Sequence, residues 1–150
     1  MLKEGDQAPA IRLRTDAGEE FQLSDLKGQR VALYFYPRAN TPGCTTEACE
    51  FRDSAESFAK KGAALVGVSP DAPAAQAKFK SKYGLPFTLL ADEEKAAAQA
   101  YGVWKEKNLY GRKSMGIERT TFVIGPDGRI EKIYAKVKAR GHAAEVLGNL

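Results

Sequence analysis

Both cysteines of the chain fall in one ten-residue stretch, TPGCTTEACE at 41–50. They are Cys44 and Cys49, five residues apart. Pro37 ends an apolar run of strand length, and the pattern after Cys44 turns helical. Thr41 suits a helix N-cap, and Pro42 suits the first helical position because proline has no N–H to leave unpaired. Cys44 therefore falls in the first turn of a helix, where backbone amides lack partners and the helix dipole is positive. Both favour an anion, and the thiolate rather than the thiol is the nucleophile. The same amides would stabilise a second anionic centre, such as the leaving oxygen of a peroxide whose O–O bond Cys44 attacks. The Thr41 hydroxyl and an arginine from elsewhere suit that oxygen as partners.

Cys49 lies further along the same helical stretch. On an unbroken helix, five residues advance ~7.5 Å and turn through about 500°. A disulfide needs Cα atoms within roughly 4.4–6.8 Å and opposed Cβ vectors. A Cys44–Cys49 bond therefore requires the first turns to unwind, and helix ends open at low free-energy cost. The two thiols also suit other roles. Free cysteine is often a small buried apolar side chain, and Cys49 follows Ala48 beside the apolar face of the helix. Zinc wants about four Cys or His ligands, whereas the chain offers Cys44, Cys49 and the distant His142. That histidine reads as a surface residue rather than as a catalytic partner.

The elements that must position these residues are legible from periodicity. IRLRTDAGEEFQL alternates around Asp16-Ala17-Gly18 as a small hairpin, and Ser24–Gly28 reads as one helical turn closed by glycine. RVALYFYP at 30–37 and AALVGVSP at 63–70 are continuous apolar runs, as expected of strands covered on both faces. Between them Ala48, Phe51, Arg52, Ala55, Phe58 and Ala59 recur at helical spacing. Residues 72–83 read as a helix, PFTLLAD as a strand, Glu93–Tyr101 as a helix stopped by Gly102, and HAAEVLGNL as a closing helix. RTTFVIGPDGRIEKIYA reads as a hairpin turning at Pro126-Asp127-Gly128. Strands alternating with helices and a late hairpin predict an α/β fold with a mixed sheet.

The 150 residues fit one domain, 1–150, with no repeat or linker. No apolar run approaches the ~20 residues a membrane span needs, and the charged N-terminus shows no secretory signal. Two cysteines are too few for a disulfide-stapled secreted scaffold, which favours a cytoplasmic protein whose thiols bond transiently. The net charge of +4 reads as a solvated surface. The densest basic segment, KIYAKVKAR at 132–140, is too short for a nucleic-acid stripe.

The string YPRANTPGCTTEACEFRD closely resembles the active site of the peroxiredoxins, in particular their Q-type, or bacterioferritin comigratory, branch. FTLLADEE, YGVWKEK and GIERTTFVIGPDGRI are similar to later segments of the same branch, so the resemblance covers nearly the whole chain. It implies a thioredoxin-like fold with an N-terminal β-hairpin extension and a central mixed sheet flanked by helices. It implies that Cys44 is the peroxidatic cysteine and Cys49 the resolving one. Thr41, Gly43 and Arg119 would bind the peroxide with Cys44, while Pro37 shields the thiolate. Glu47, where the family places a glutamate or glutamine, could equally complement the helix N-terminus. Arg52 would join at most a weak surface ion pair, and Trp104 would serve packing.

The expected activity is a peroxidase using no metal, haem or flavin. Its substrate would be hydrogen peroxide or a small organic hydroperoxide, its reductant thioredoxin or a similar thiol, and its form a monomer. Two alternatives are a thiol–disulfide oxidoreductase, which would normally show C-x-x-C rather than the C-x-x-x-x-C found here, and a non-enzymatic binding module with structural cysteines.

Overall fold

The computed structural model describes the backbone of residues 1–150 and every side chain except that of Leu109. The strands are β1 (Arg12–Thr15), β2 (Glu20–Gln22), β3 (Arg30–Phe35), β4 (Ala63–Ser69), β5 (Thr88–Ala91), β6 (Trp104–Leu109), β7 (Arg112–Ile117), β8 (Thr120–Ile124) and β9 (Ile130–Tyr134). The helices are α1 (Pro42–Lys60), α2 (Pro73–Tyr83), α3 (Ala96–Ala100) and α4 (His142–Gly148). One sheet has the order β2-β1-β5-β4-β3-β8-β9. Its centre, β3–β4–β5, is parallel, and β1 and β8 flank it antiparallel. The expected mixed α/β architecture and both expected hairpins are present.

Period-two geometry divides the core. In β3, Ala32 and Tyr34 face one side, while Val31, Leu33 and Phe35 face the other. Tyr36, just beyond the strand, continues the first set. On that first side α1 supplies Ala48, Phe51 and Phe58, α2 supplies Phe79, and α4 supplies Ala143 and Val146. On the second side lie Ala97 and Ala98 of α3, with Tyr101, Val103 and the N-terminal Ala8 and Ile11. Burial on both faces explains why β3 and β4 read as unbroken apolar runs. Gly67 in β4 is a packing requirement: a Cβ there would stand 2.9 Å from both the Tyr34 ring and Leu89 Cδ2.

Two expectations change, and one element is new. The helix expected over Glu93–Tyr101 shortens to α3. Lys95 adopts a left-handed φ of 58°, and the buried Asp92 carboxylate accepts the amides of Ala97 and Ala98 at 3.1 and 2.8 Å. The helix thus starts two residues beyond the Glu93-Glu94 pair. The β6–β7 ribbon was not anticipated, because its strands alternate charges rather than apolar residues; Lys107 pairs across from Ser114, and Glu106 from Met115. His142 is not a surface residue. It is 2% exposed, with Nε2 2.6 Å from Thr121 Oγ1 and Nδ1 3.1 Å from Glu145 Oε1. Phe51 and Tyr134 meet its ring edge-on, and burial pushes its pKa below the ordinary value despite Glu145. Its contacts are with α1, β8, β9 and α4, which makes it a core polar link. Among the described residues, no helix is long and apolar enough to cross a membrane.

Candidate active site

The β3–α1 junction places the first cysteine. Pro37, half-buried, follows the last buried residue of the β3 run, and Pro42 occupies the start of α1. Thr41 is the N-cap by backbone conformation, and its carbonyl accepts the first helical bond from the Thr45 N–H at 2.8 Å. The amides of Gly43 and Cys44 precede that bond and have no carbonyl one turn back to donate to. One expectation changes here. The Thr41 hydroxyl does not cap the helix; it donates to the Arg38 carbonyl at 2.8 Å, which leaves its lone pairs free to accept from a ligand.

Arg119 reaches the same turn from the opposite strand. It directly precedes β8, which pairs with β3 as far as Phe35 opposite Thr120, so register alone brings residue 119 to the end of β3. The Val137 amide fixes its carbonyl at 3.0 Å. The guanidinium then spans one turn of α1. Nη2 donates to Cys44 Sγ at 3.4 Å, and Nη1 donates to Glu47 Oε1 at 2.7 Å. Gly43 makes room for this approach: a Cβ there would lie 3.2 Å from Arg119 Nη2. Burial works against the charge of Arg119, but Glu47 and Cys44 outweigh it and raise the arginine's pKa.

Cys44 is 2% exposed and carries a free thiol, as does the half-buried Cys49. Both lie on the unbroken α1, the arrangement that helix geometry says cannot hold a disulfide.

Glu47 does not merely complement a helix end. It is fully buried, and its Oε2 has no hydrogen-bond partner. Burial is the strongest influence on it, and with Arg119 pulling the other way its pKa is pushed up to about 7 from 4.5. Its folded pKa thus exceeds its unfolded one. The stability this confers is complete below pH 4.5 and is lost as pH rises through about 7. Urea unfolding should therefore show the wild-type chain losing on the order of 2–3 kcal/mol relative to the Glu47→Gln variant between acidic and slightly alkaline pH. Parallel pH profiles for the two proteins would show that the carboxyl is ionised at no such cost.

Two supports were not foreseen from the sequence. Tyr36 Oη donates to Gln76 Oε1 at 2.5 Å, and Gln76 Nε2 donates to Ser69 Oγ and the Leu90 carbonyl at 2.9 and 2.8 Å. Ser69 Oγ in turn donates to Asp71 Oδ2 at 2.6 Å, and that oxygen accepts the Ala39 amide at 2.7 Å. This buried chain ties the loop before Thr41 to α2 and β4. The available signal was Gln76, a polar residue on the inner face of a predicted helix. Arg52 pairs with Asp53 at 2.9 Å and also donates to the Tyr83 carbonyl at 2.8 Å, so it does more than decorate the surface.

A thioredoxin-like sheet that presents a buried cysteine to a guanidinium, in a helix's first turn, defines a protein built for thiol redox chemistry. Residues 4–133 match the AhpC/TSA family. Peroxiredoxin Bcp of Bacillus subtilis is 53% identical over 146 residues, covering 97% of this chain and 93% of the relative. Among solved structures, a cysteine-to-serine variant of PrxQ from Xylella fastidiosa superposes with a TM-score of 0.94 at 37% identity, covering 99% of this chain and 95% of that one. The bacterioferritin comigratory protein of Xanthomonas campestris, studied for its alkyl peroxide reduction, does so with a TM-score of 0.89 at 39% identity, over 93% and 88% of the two chains. The chain belongs to the AhpC/TSA family, within the Q-type peroxiredoxin branch, and is a thiol peroxidase.

Proposed function

We propose that the peroxidase cycle runs through Cys44 and Cys49 and ends at a thioredoxin-like reductant. The observation that carries this reading is the 3.4 Å contact of Arg119 Nη2 with Cys44 Sγ, beside the two unpaired amides. A peroxide enters as ROOH, where R is hydrogen or a small alkyl group. Its hydroxyl is accepted by Thr41 Oγ1, and Arg119 and the Gly43 and Cys44 amides face the oxygens. The Cys44 thiolate attacks the terminal oxygen. The S–O bond forms as O–O breaks, and RO⁻ leaves with the electron pair and takes up a proton as ROH. Pro37 covers the thiolate from water.

The sulfenic acid at Cys44 then meets Cys49 after the first turns of α1 unwind. The Cys49 sulfur attacks the Cys44 sulfur, an S–S bond forms, and hydroxide leaves as water. A dithiol reductant attacks that disulfide and donates two electrons and two protons, restoring both thiols. Residues 1–150 act in this as one domain, a monomer in the cytoplasm, on hydrogen peroxide or a small organic hydroperoxide.

Arg119→Met tests the arrangement. Losing one preorganised donor to a developing oxyanion costs roughly 10²–10³-fold, so the second-order rate with hydrogen peroxide should fall by that factor while the fold persists. An Arg119→Met rate within twofold of wild type would show that the guanidinium holds nothing that matters in the reaction.

A further inference from the structure

We propose that the C-terminal end of α2 is a brace on the segment that must unwind, and that it sets how fast Cys49 reaches oxidised Cys44. The inference rests on the Cys44–Cys49 resolution step proposed above. Tyr83, the last residue of α2, holds both sides of that segment. Its hydroxyl donates to Asn40 Oδ1 at 3.1 Å, and Lys82 Nζ reaches the same oxygen at 3.4 Å. Its carbonyl accepts Arg52 Nη1 at 2.8 Å. Asn40 immediately precedes the N-cap of α1, and Arg52 lies three residues beyond Cys49. Both cysteines are therefore bracketed between two contacts to one residue.

The brace is rigid at its base and releasable at one side. The Tyr83 ring packs edge-on against Phe79, which is 1% exposed, with centroids 5.6 Å apart. Ala39 is tied through Asp71 to the buried Tyr36–Gln76–Ser69 chain, so the loop stays fixed up to that residue. Asn40 is the next residue, exposed and in the left-handed region at φ 62°, a conformation asparagine tolerates better than most residues. A helix advances about 1.5 Å per residue, and unwinding its first turns changes the path between residues 40 and 52. Arg52 lies beyond Cys49 and so beyond the first turns of α1, which makes the Asn40 contact the one that must yield. Opening breaks it and resolution follows; while it holds, Cys44 stays packed against Arg119.

Quench-flow with thiol counting, on the full chain after one equivalent of hydrogen peroxide, separates the two steps. In Tyr83→Phe, which keeps the ring and loses the hydroxyl, disulfide formation should quicken by roughly three- to tenfold, the range one neutral hydrogen bond spans. Oxidation of Cys44 itself should stay near the wild-type rate. Sulfinic acid at Cys44 under excess peroxide should fall by a similar factor, and this protection should vanish in a Cys49→Ser background, an outcome no general loosening would give. Asn40→Gly, which keeps the left-handed backbone and removes the carboxamide, should behave like Tyr83→Phe. If both variants form the disulfide at the wild-type rate, the brace is refuted and the resolution step stands. If the wild-type chain forms no internal disulfide, the resolution step falls and takes the brace with it.

Discussion

Replacing Cys44 by serine should reduce peroxide consumption to background, a loss of at least about a thousandfold on the scale of nucleophile deletions. Serine is close in size, so the packing of a 2%-exposed position is little disturbed. The chemistry is what disappears. A serine hydroxyl beside Arg119 Nη2 stays protonated, and its oxygen is a poor nucleophile toward another oxygen. Circular dichroism would confirm the fold, and a peroxide electrode the loss. Residual turnover near the wild-type level would remove Cys44 from the reaction and return it to the role of a small core residue.

Replacing Cys49 by serine should split the cycle instead of abolishing it. The Cys49→Ser protein should consume one equivalent of peroxide at the wild-type rate, because Cys49 does not touch the Arg119–Cys44 arrangement. Turnover with thioredoxin and its reductase should then stop, and Cys44 should accumulate as sulfenic and then sulfinic acid. The chain has two cysteines in all, so no internal thiol can substitute. Steady cycling of Cys49→Ser with thioredoxin would mean that the reductant attacks the sulfenic acid directly and that α1 need not unwind.

Much of the fold and the site could be read from residue order because the informative segments have strong local signals. β3 and β4 are buried on both faces, so their apolar runs are continuous; α1 shows its apolar stripe and its proline at the start. Cys44 was legible because a strand ending at Pro37 and a helix starting at Pro42 leave few positions for it. Arg119 was not legible from spacing. It lies 75 residues from Cys44, and only the antiparallel pairing of β8 with β3 brings it there; the family resemblance supplied it.

The misses share a physical cause, which is that tertiary partners override local pattern. His142 sits in a seven-residue helix too short to show a face, and its burial depends on Thr121 and Phe51 from other elements. The Thr41 hydroxyl was expected to cap α1, but the Arg38 carbonyl in the preceding loop takes it. The β6–β7 ribbon packs chiefly on itself and carries charges on both strands, so it has no apolar alternation to betray it. Glu47 and Gln76 are polar groups on buried helix faces, where pattern alone cannot say which partner satisfies them.

Intact mass of the reduced chain, taken before and after one equivalent of hydrogen peroxide, reaches the central claim most directly. The expected product weighs two hydrogens less than the reduced protein, and peptide mapping joins Cys44 to Cys49. A mass that does not change, with both thiols still open to alkylation, would contradict the claim that Cys44, held by Arg119, splits the O–O bond and hands its oxidation to Cys49.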